Sequence, residues 1–166
     1  MKFKIRKMKK EDWNSVVDIY IQGISTKKAT FQTEAPEYYD WDKGHVKIGR
    51  LVAVDNNDQV VGWIALSPTS SRCVYKGVVE VSVYISESFR KNNVGYELIN
   101  RVIEETEKEG IWTLQSGIFS INEASITLHK KCGFRIIGIR EKIGCDSDGI
   151  WQDTVLMERR SKIAGM

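Results

Sequence analysis

The chain has 166 residues, with 25 Lys and Arg against 22 Asp and Glu, for a formal net charge of +3. That length suits one domain with a sizeable core, and so mild a charge, with no long basic block, argues against nucleic acid as a partner. No apolar run reaches a membrane span, no secretory apolar stretch follows the basic start, and Cys73, Cys132 and Cys145 lack metal-ligand spacing, which together point to reduced thiols in a cytoplasmic protein with no bound metal.

Taken in order, Phe3 to Met8 alternates and predicts a first strand. Trp13, Val16, Val17, Tyr20, Ile21 and Ile24 fall at helical spacing, with Glu11 and Asp12 in the first turn, where the helix dipole favours acids. Thr30–Glu34 has no helical pattern and reads as a loop. Pro36 to Ile48 reads as a second, irregular helix. Arg50–Val54 and Val60–Leu66 are short apolar runs joined by Asp55-Asn56-Asn57-Asp58, the pattern of a hairpin. A polar excursion, Thr69–Cys73, follows Pro68.

Val79, Val81, Val83 and Ile85 then alternate with Glu80, Ser82 and Tyr84, the period of a strand. Val94, Leu98, Val102 and Thr106, flanked by Ile99 and Ile103, form one apolar helix face. Between them lies the basic loop Arg90-Lys91-Asn92-Asn93-Val94-Gly95. A basic loop feeding a helix start suits an anion, because the first-turn amides have no partner within the helix and the macrodipole favours negative charge. The alternative is a solvated basic turn. Neither a Walker loop nor a dinucleotide-binding glycine fingerprint is present.

Gly110 is a helix stop, and Trp112–Phe119 reads as a strand. Asn122 is an N-cap for a short helix ending at Gly133. Arg135–Ile143 and Trp151–Glu158 form a closing antiparallel pair around the turn Asp146–Gly149. This order implies an α/β (mixed α+β) fold in one domain over residues 1–166, with one central mixed, mostly antiparallel sheet and helices on both faces.

The loop Arg90–Gly95 resembles the acetyl-CoA loop of the GNAT acetyltransferase superfamily, Arg/Gln-x-x-Gly-x-Gly/Ala, with Asn93 in place of the middle glycine. Asn is the residue that best replaces Gly at positive φ. Further segments resemble the phosphinothricin-type amino-acid N-acetyltransferases. Thr30-Phe31-Gln32-Thr33-Glu34 is similar to their Asn-Phe-Arg-Thr-Glu, and Pro68, Arg72, Tyr75 and Glu80 keep their spacing. Asn122, Ser125, Leu128, His129, Gly133 and Phe134 match Asn-x-x-Ser-x-x-Leu-His-x-x-x-Gly-Phe/Tyr, and Gly149, Trp151 and Asp153 match Gly-x-Trp-x-Asp.

The resemblance implies direct acetyl transfer from acetyl-CoA, as co-substrate, to a small amine, and a homodimer. Glu80 is the candidate general base, since partial desolvation raises a carboxylate's affinity for a proton; the alternative is a strand-end Glu paired with Lys76 or Arg72. Val81, Ser82 and Val83 would offer the cofactor a strand edge, with an amide near Val83 polarising the thioester carbonyl. Amides of Arg90, Lys91, Asn92, Asn93, Val94 and Gly95 would hold the pyrophosphate, although Val94 also suits the core. Asn122 and Ser125 would form a second cofactor contact; a pure helix cap is the alternative for Asn122, and the two roles are compatible. His129 would touch the cofactor or protonate the leaving thiolate, or be structural. Arg72 and Tyr75 would hold a substrate carboxylate or phosphinate, with Phe31 as the apolar wall; a solvated charge is the alternative for Arg72.

The expected activity is acetyl-CoA-dependent N-acetylation of an amino-acid-like amine such as phosphinothricin, methionine sulfoximine or methionine sulfone. Acetylation of a protein N-terminus, a polyamine or an aminoglycoside is the rival within catalysis, and a non-catalytic acyl-CoA-binding domain the rival outside it. No acid lies between Pro68 and Tyr75, which disfavours polycationic substrates.

Overall fold

The computed structural model describes residues 2–166. Its strands are β1 (Lys4–Lys7), β2 (Leu51–Val54), β3 (Val60–Pro68), β4 (Val78–Ile85), β5 (Thr113–Phe119), β6 (Arg135–Cys145) and β7 (Trp151–Arg160). Its helices are α1 (Trp13–Ser25), α2 (Tyr38–Gly44), α3 (Val94–Lys108) and α4 (Glu123–Lys131). All seven strands join one sheet in the order β1-β2-β3-β4-β5-β7-β6. Neighbours are antiparallel except β4 and β5, which run parallel.

Strand alternation sorts the apolar side chains between two cores. Leu51, Ala53, Ile64, Leu66, Val79 and Val81 face α3 and meet Leu98, Ile99 and Val102. Val52, Val54, Trp63 and Ala65 face the other way and meet Val16, Ile19 and Trp41 of α1 and α2. Leu98, Ile99 and Val102 are 0% exposed, and burying each such side chain contributes about 1.5–3 kcal/mol. That seam fixes the axis of α3, and with it the loop that opens the helix.

The second helix is shorter than the spacing of Pro36–Ile48 predicts. It ends at Gly44, and His45 is extended at φ −120° and ψ 143°. Arg50 explains the stop: its guanidinium donates to the carbonyls of Asp42 at 2.8 Å, His45 at 2.6 Å and Val46 at 2.7 Å. These carbonyls are thus satisfied by a side chain rather than by another helical turn. Asp12 also has a role beyond the dipole. It is buried and accepts two hydrogen bonds from Arg6, at 2.8 and 2.9 Å, and one from the Lys9 amide at 2.7 Å. Burial raises its pKa, but these bonds outweigh burial and leave it below the ordinary carboxylate value.

Candidate active site

β4 pairs with β5 only at Val78–Glu80, opposite Thr113–Gln115. Beyond that point β4 continues beside β3 to Ile85, while β5 continues beside β7 to Phe119. The two parallel strands therefore diverge from Glu80 onward, and a cavity of about 350 Å³ opens between them. Its walls are Glu80–Tyr84 of β4 and Ser116–Phe119 of β5. Asn122, Ser125 and His129 of α4 close one side, and Ala29–Gln32, from the segment after α1, cover another.

Among the described residues, Glu80 is the one acidic side chain in the lining, which holds no Lys or Arg. It is half-buried and accepts a hydrogen bond from Gln115 Nε2 at 3.2 Å. Among the described residues it forms no ion pair with Lys76 or Arg72, and its side-chain partner is Gln115. Gln115 is its register partner on β5, a relation that needs the sheet order to be seen. Tyr84 lies on the same face of β4, stacks on Trp63 at 4.9 Å and meets Tyr20 edge-on at 4.8 Å. Burial, with the Tyr20 hydroxyl adding, raises the Tyr84 pKa, so its hydroxyl stays protonated.

Asn122 is the N-cap of α4. Its Oδ1 accepts from the Ser125 amide at 3.2 Å. Its Nδ2 donates to the Lys28 carbonyl at 3.2 Å, tying the helix start to the covering segment. His129 is 1% exposed and meets Phe134 edge-on at 5.0 Å. Its Nδ1–H donates to the Ser125 carbonyl at 2.8 Å, so Nε2 is left as the lone-pair nitrogen. That nitrogen is buried and has no partner among the described residues. Burial lowers the imidazole pKa, offset in part by the hydrogen bond to Ser125, and the ring is neutral at pH 7.

The loop before α3 takes the backbone shape that its sequence suggests. Asn93 is left-handed at φ 63° and ψ 9°, and no side chain caps the helix. Asn92 Nδ2 braces the loop from inside, donating to the carbonyls of Arg90 at 3.0 Å and Phe89 at 3.3 Å. Val94 is core, at 1% exposed. At Gly95 a Cβ would lie 2.8 Å from Leu128 Cδ2, so glycine lets α3 and α4 approach closely. Arg90 and Lys91 are exposed.

The cavity gathers Phe31, Glu80, Val81, Ser82, Val83, Asn122, Ser125 and His129. It does not include Arg72, Tyr75 or the loop Arg90–Gly95. Arg72 and Tyr75 sit at a single 3-10 turn just before β4, both exposed, with the guanidinium 5.5 Å from the ring centre. Tyr20, Thr30, Ser116 and Thr154 also line the cavity. Sequence reasoning passed over Tyr20, Ser116 and Thr154, because only the sheet order brings α1, β5 and β7 beside β4; Thr30 belongs to the segment Thr30–Glu34 that the sequence singles out.

Residues 13–134 match the Acetyltransferase (GNAT) family. The chain is 30% identical over 156 residues to a phosphinothricin N-acetyltransferase of Streptomyces coelicolor, covering 90% of this chain and 91% of that one. It is 30% identical over 135 residues to an L-methionine sulfoximine/L-methionine sulfone acetyltransferase of Pseudomonas aeruginosa, covering 81% and 73%. Its fold matches that of a phosphinothricin acetyltransferase from Sinorhizobium meliloti, solved in complex with acetyl-CoA, at a TM-score of 0.88 and 24% identity over 99% and 91% of the two chains. With its diverging β4 and β5, its capped α4 and the left-handed turn ahead of α3, the chain belongs to the GNAT acetyltransferase family and is an acyltransferase.

Proposed function

We propose that this acyltransferase transfers an acetyl group from acetyl-CoA to the amino group of a small amino-acid-like substrate of the phosphinothricin, methionine sulfoximine or methionine sulfone type. The observation that carries the reading is the single carboxylate, Glu80, held at the apex of a wedge otherwise lined by neutral side chains. Such a charge suits an ammonium group and a proton to be removed. The names of the relatives from Streptomyces coelicolor and Pseudomonas aeruginosa support the substrate class.

The residues present fit acetyl-CoA. Past Glu80, β4 has no β5 partner, so Val81, Ser82 and Val83 offer backbone groups to an extended chain laid in the wedge. The uncapped start of α3 offers amides to a pyrophosphate, and Arg90 and Lys91 add charge. Asn122 and Ser125 flank the wedge from α4. When bound, the thioester supplies an activated acetyl group. A backbone amide near Val83 would polarise its carbonyl, and Glu80 would take the proton of the substrate ammonium, directly or through water. Of the two catalytic roles open to His129, contact with the cofactor agrees with its neutral, acceptor-only Nε2. Phe31 would form the apolar wall, and Arg72 and Tyr75 would meet the substrate carboxylate from the turn that leads into β4.

A homodimer in the cytoplasm completes the proposal. β6 is an edge strand whose Ile136, Ile139 and Ile143 are exposed, as is Trp151 beside them. A long edge strand that carries apolar side chains calls for a cover. Cys73 and Cys145 are free and exposed, as suits a reducing compartment. Among the described residues no helix is long and apolar enough to cross a membrane.

Glu80→Gln is the direct test. It should lower kcat by about 10²–10⁴ while calorimetry still detects acetyl-CoA binding of wild-type strength. Normal turnover at neutral pH would reject Glu80 as the base.

A further inference from the structure

The tip of the Phe31 ring rests on Gly144 of β6. A Cβ built at Gly144 would lie 2.8 Å from Cζ and 2.9 Å from Cε1 of that ring, well inside the ~3.5–4.0 Å at which carbon atoms pack. Gly144 is not in the left-handed region, so its backbone makes no demand for glycine; the ring does. Gly144 itself lies outside the cavity lining, whereas Phe31 is part of it. The other side of the ring leans on Phe119, with centroids 4.4 Å apart. The segment that carries Phe31 is held at two further points. Lys27 Nζ pairs with Asp148 Oδ2 at 2.5 Å, in the turn between β6 and β7, and the Lys28 carbonyl accepts from Asn122.

We infer that Gly144 is a specificity-determining position, whose missing side chain lets Phe31 sit back against the β6–β7 hairpin and leaves room in the cavity for the side chain of the acceptor amine. The inference rests on the proposed function, which puts that amine beside Phe31. A methyl group at 144 must displace the ring tip by about 1 Å to restore ordinary packing. The Lys27–Asp148 pair and the Asn122–Lys28 hydrogen bond tether the backbone just before Phe31, so the displacement falls on the ring, which also borders Phe119 and the cavity.

The test compares methionine sulfone with S-methylcysteine sulfone, its analogue one methylene shorter, using thiol release from acetyl-CoA. Gly144→Ala should lower kcat/KM for the longer substrate about tenfold more than for the shorter, the worth of one methylene in an apolar pocket, and leave the KM for acetyl-CoA unchanged. Phe31→Leu, which removes the ring tip without touching the hairpin, should shift the ratio the opposite way. Phe31→Leu combined with Gly144→Ala should restore the wild-type preference. Equal losses for both substrates in Gly144→Ala, or no shift of the ratio in Phe31→Leu, would overturn the inference. If the wild-type protein acetylates neither amine, it is the proposed substrate class that fails.

Discussion

The wedge between β4 and β5 and the turn at Cys73–Tyr75 are neighbours along the chain, joined by the first residues of β4, and they are built very differently. In the wedge each candidate side chain is held by something else. Glu80 is fixed by strand register and by Gln115, Asn122 by its cap, and His129 by the Ser125 carbonyl. At the turn, Arg72 and Tyr75 are exposed and hold mainly each other. Preorganisation belongs where charge moves, because a group already in place needs no reordering in the transition state. A substrate clamp can instead become ordered as the substrate binds. On the proposed function, the wedge supplies chemistry common to amine acetylation, and the turn supplies recognition of the substrate carboxylate.

Beyond the loss set out for Glu80→Gln, the sharpest way to break this division is Arg72→Ala. It should raise the KM for amino-acid-like substrates about tenfold to a hundredfold, the worth of a hydrogen bond to a charged group. The KM for acetyl-CoA and the kcat at saturating amine should stay near wild type. A fall in kcat with KM unchanged would place Arg72 with the chemistry and dissolve the contrast.

Asn93 sharpens the cofactor side. Its left-handed backbone costs an ordinary side chain about 1–2 kcal/mol. Asn93→Ala should therefore lower the urea unfolding midpoint and weaken acetyl-CoA binding, while Asn93→Gly should leave both close to wild type. Equal effects of the two substitutions would show that the loop does not depend on this conformation.

A smaller effect concerns pH. Burial lowers the His129 pKa in the folded chain from its ordinary 6.5. The folded state thus favours neutral imidazole, and this contribution to stability is fully present above about pH 6.5. As pH falls below that value the unfolded chain binds the proton first, and stability drops until the folded pKa is passed. Thermal melts between pH 7.5 and pH 5 should show the decline. His129→Gln should reduce its slope without abolishing it, because His45 is also lowered by burial. A slope unchanged by the substitution would contradict the buried neutral ring. Smallest of all, iodoacetamide at pH 7.5 should label Cys73 and Cys145 and spare Cys132, whose thiol burial pushes up to about 11.

Much of this arrangement was legible in the residues, and for local reasons. Alternation in Val79–Ile85 marked β4 and put Glu80 and Tyr84 on one face, and Asn122 announced its cap. Asn93 announced a positive φ. These signals depend on neighbours in the chain. What stayed hidden depends on neighbours in space. No local pattern shows that β5 abandons β4 after Gln115, that Gln115 meets Glu80, or that Arg50 ends α2 by taking its carbonyls. The segment after α1 reads as a plain loop. Its grip on Asn122, Asp148, Phe119 and Gly144 comes from elements far along the sequence.

The central claim is best tested by the wild-type protein itself: thiol release from acetyl-CoA across phosphinothricin, methionine sulfoximine, methionine sulfone, spermidine, an aminoglycoside and a short peptide. Turnover confined to the first three is the expected result. Turnover confined to the peptide or the polycations would contradict the proposed substrate class, and bound acetyl-CoA with no turnover on any of the six would contradict the amine-acetylating role assigned to the wedge.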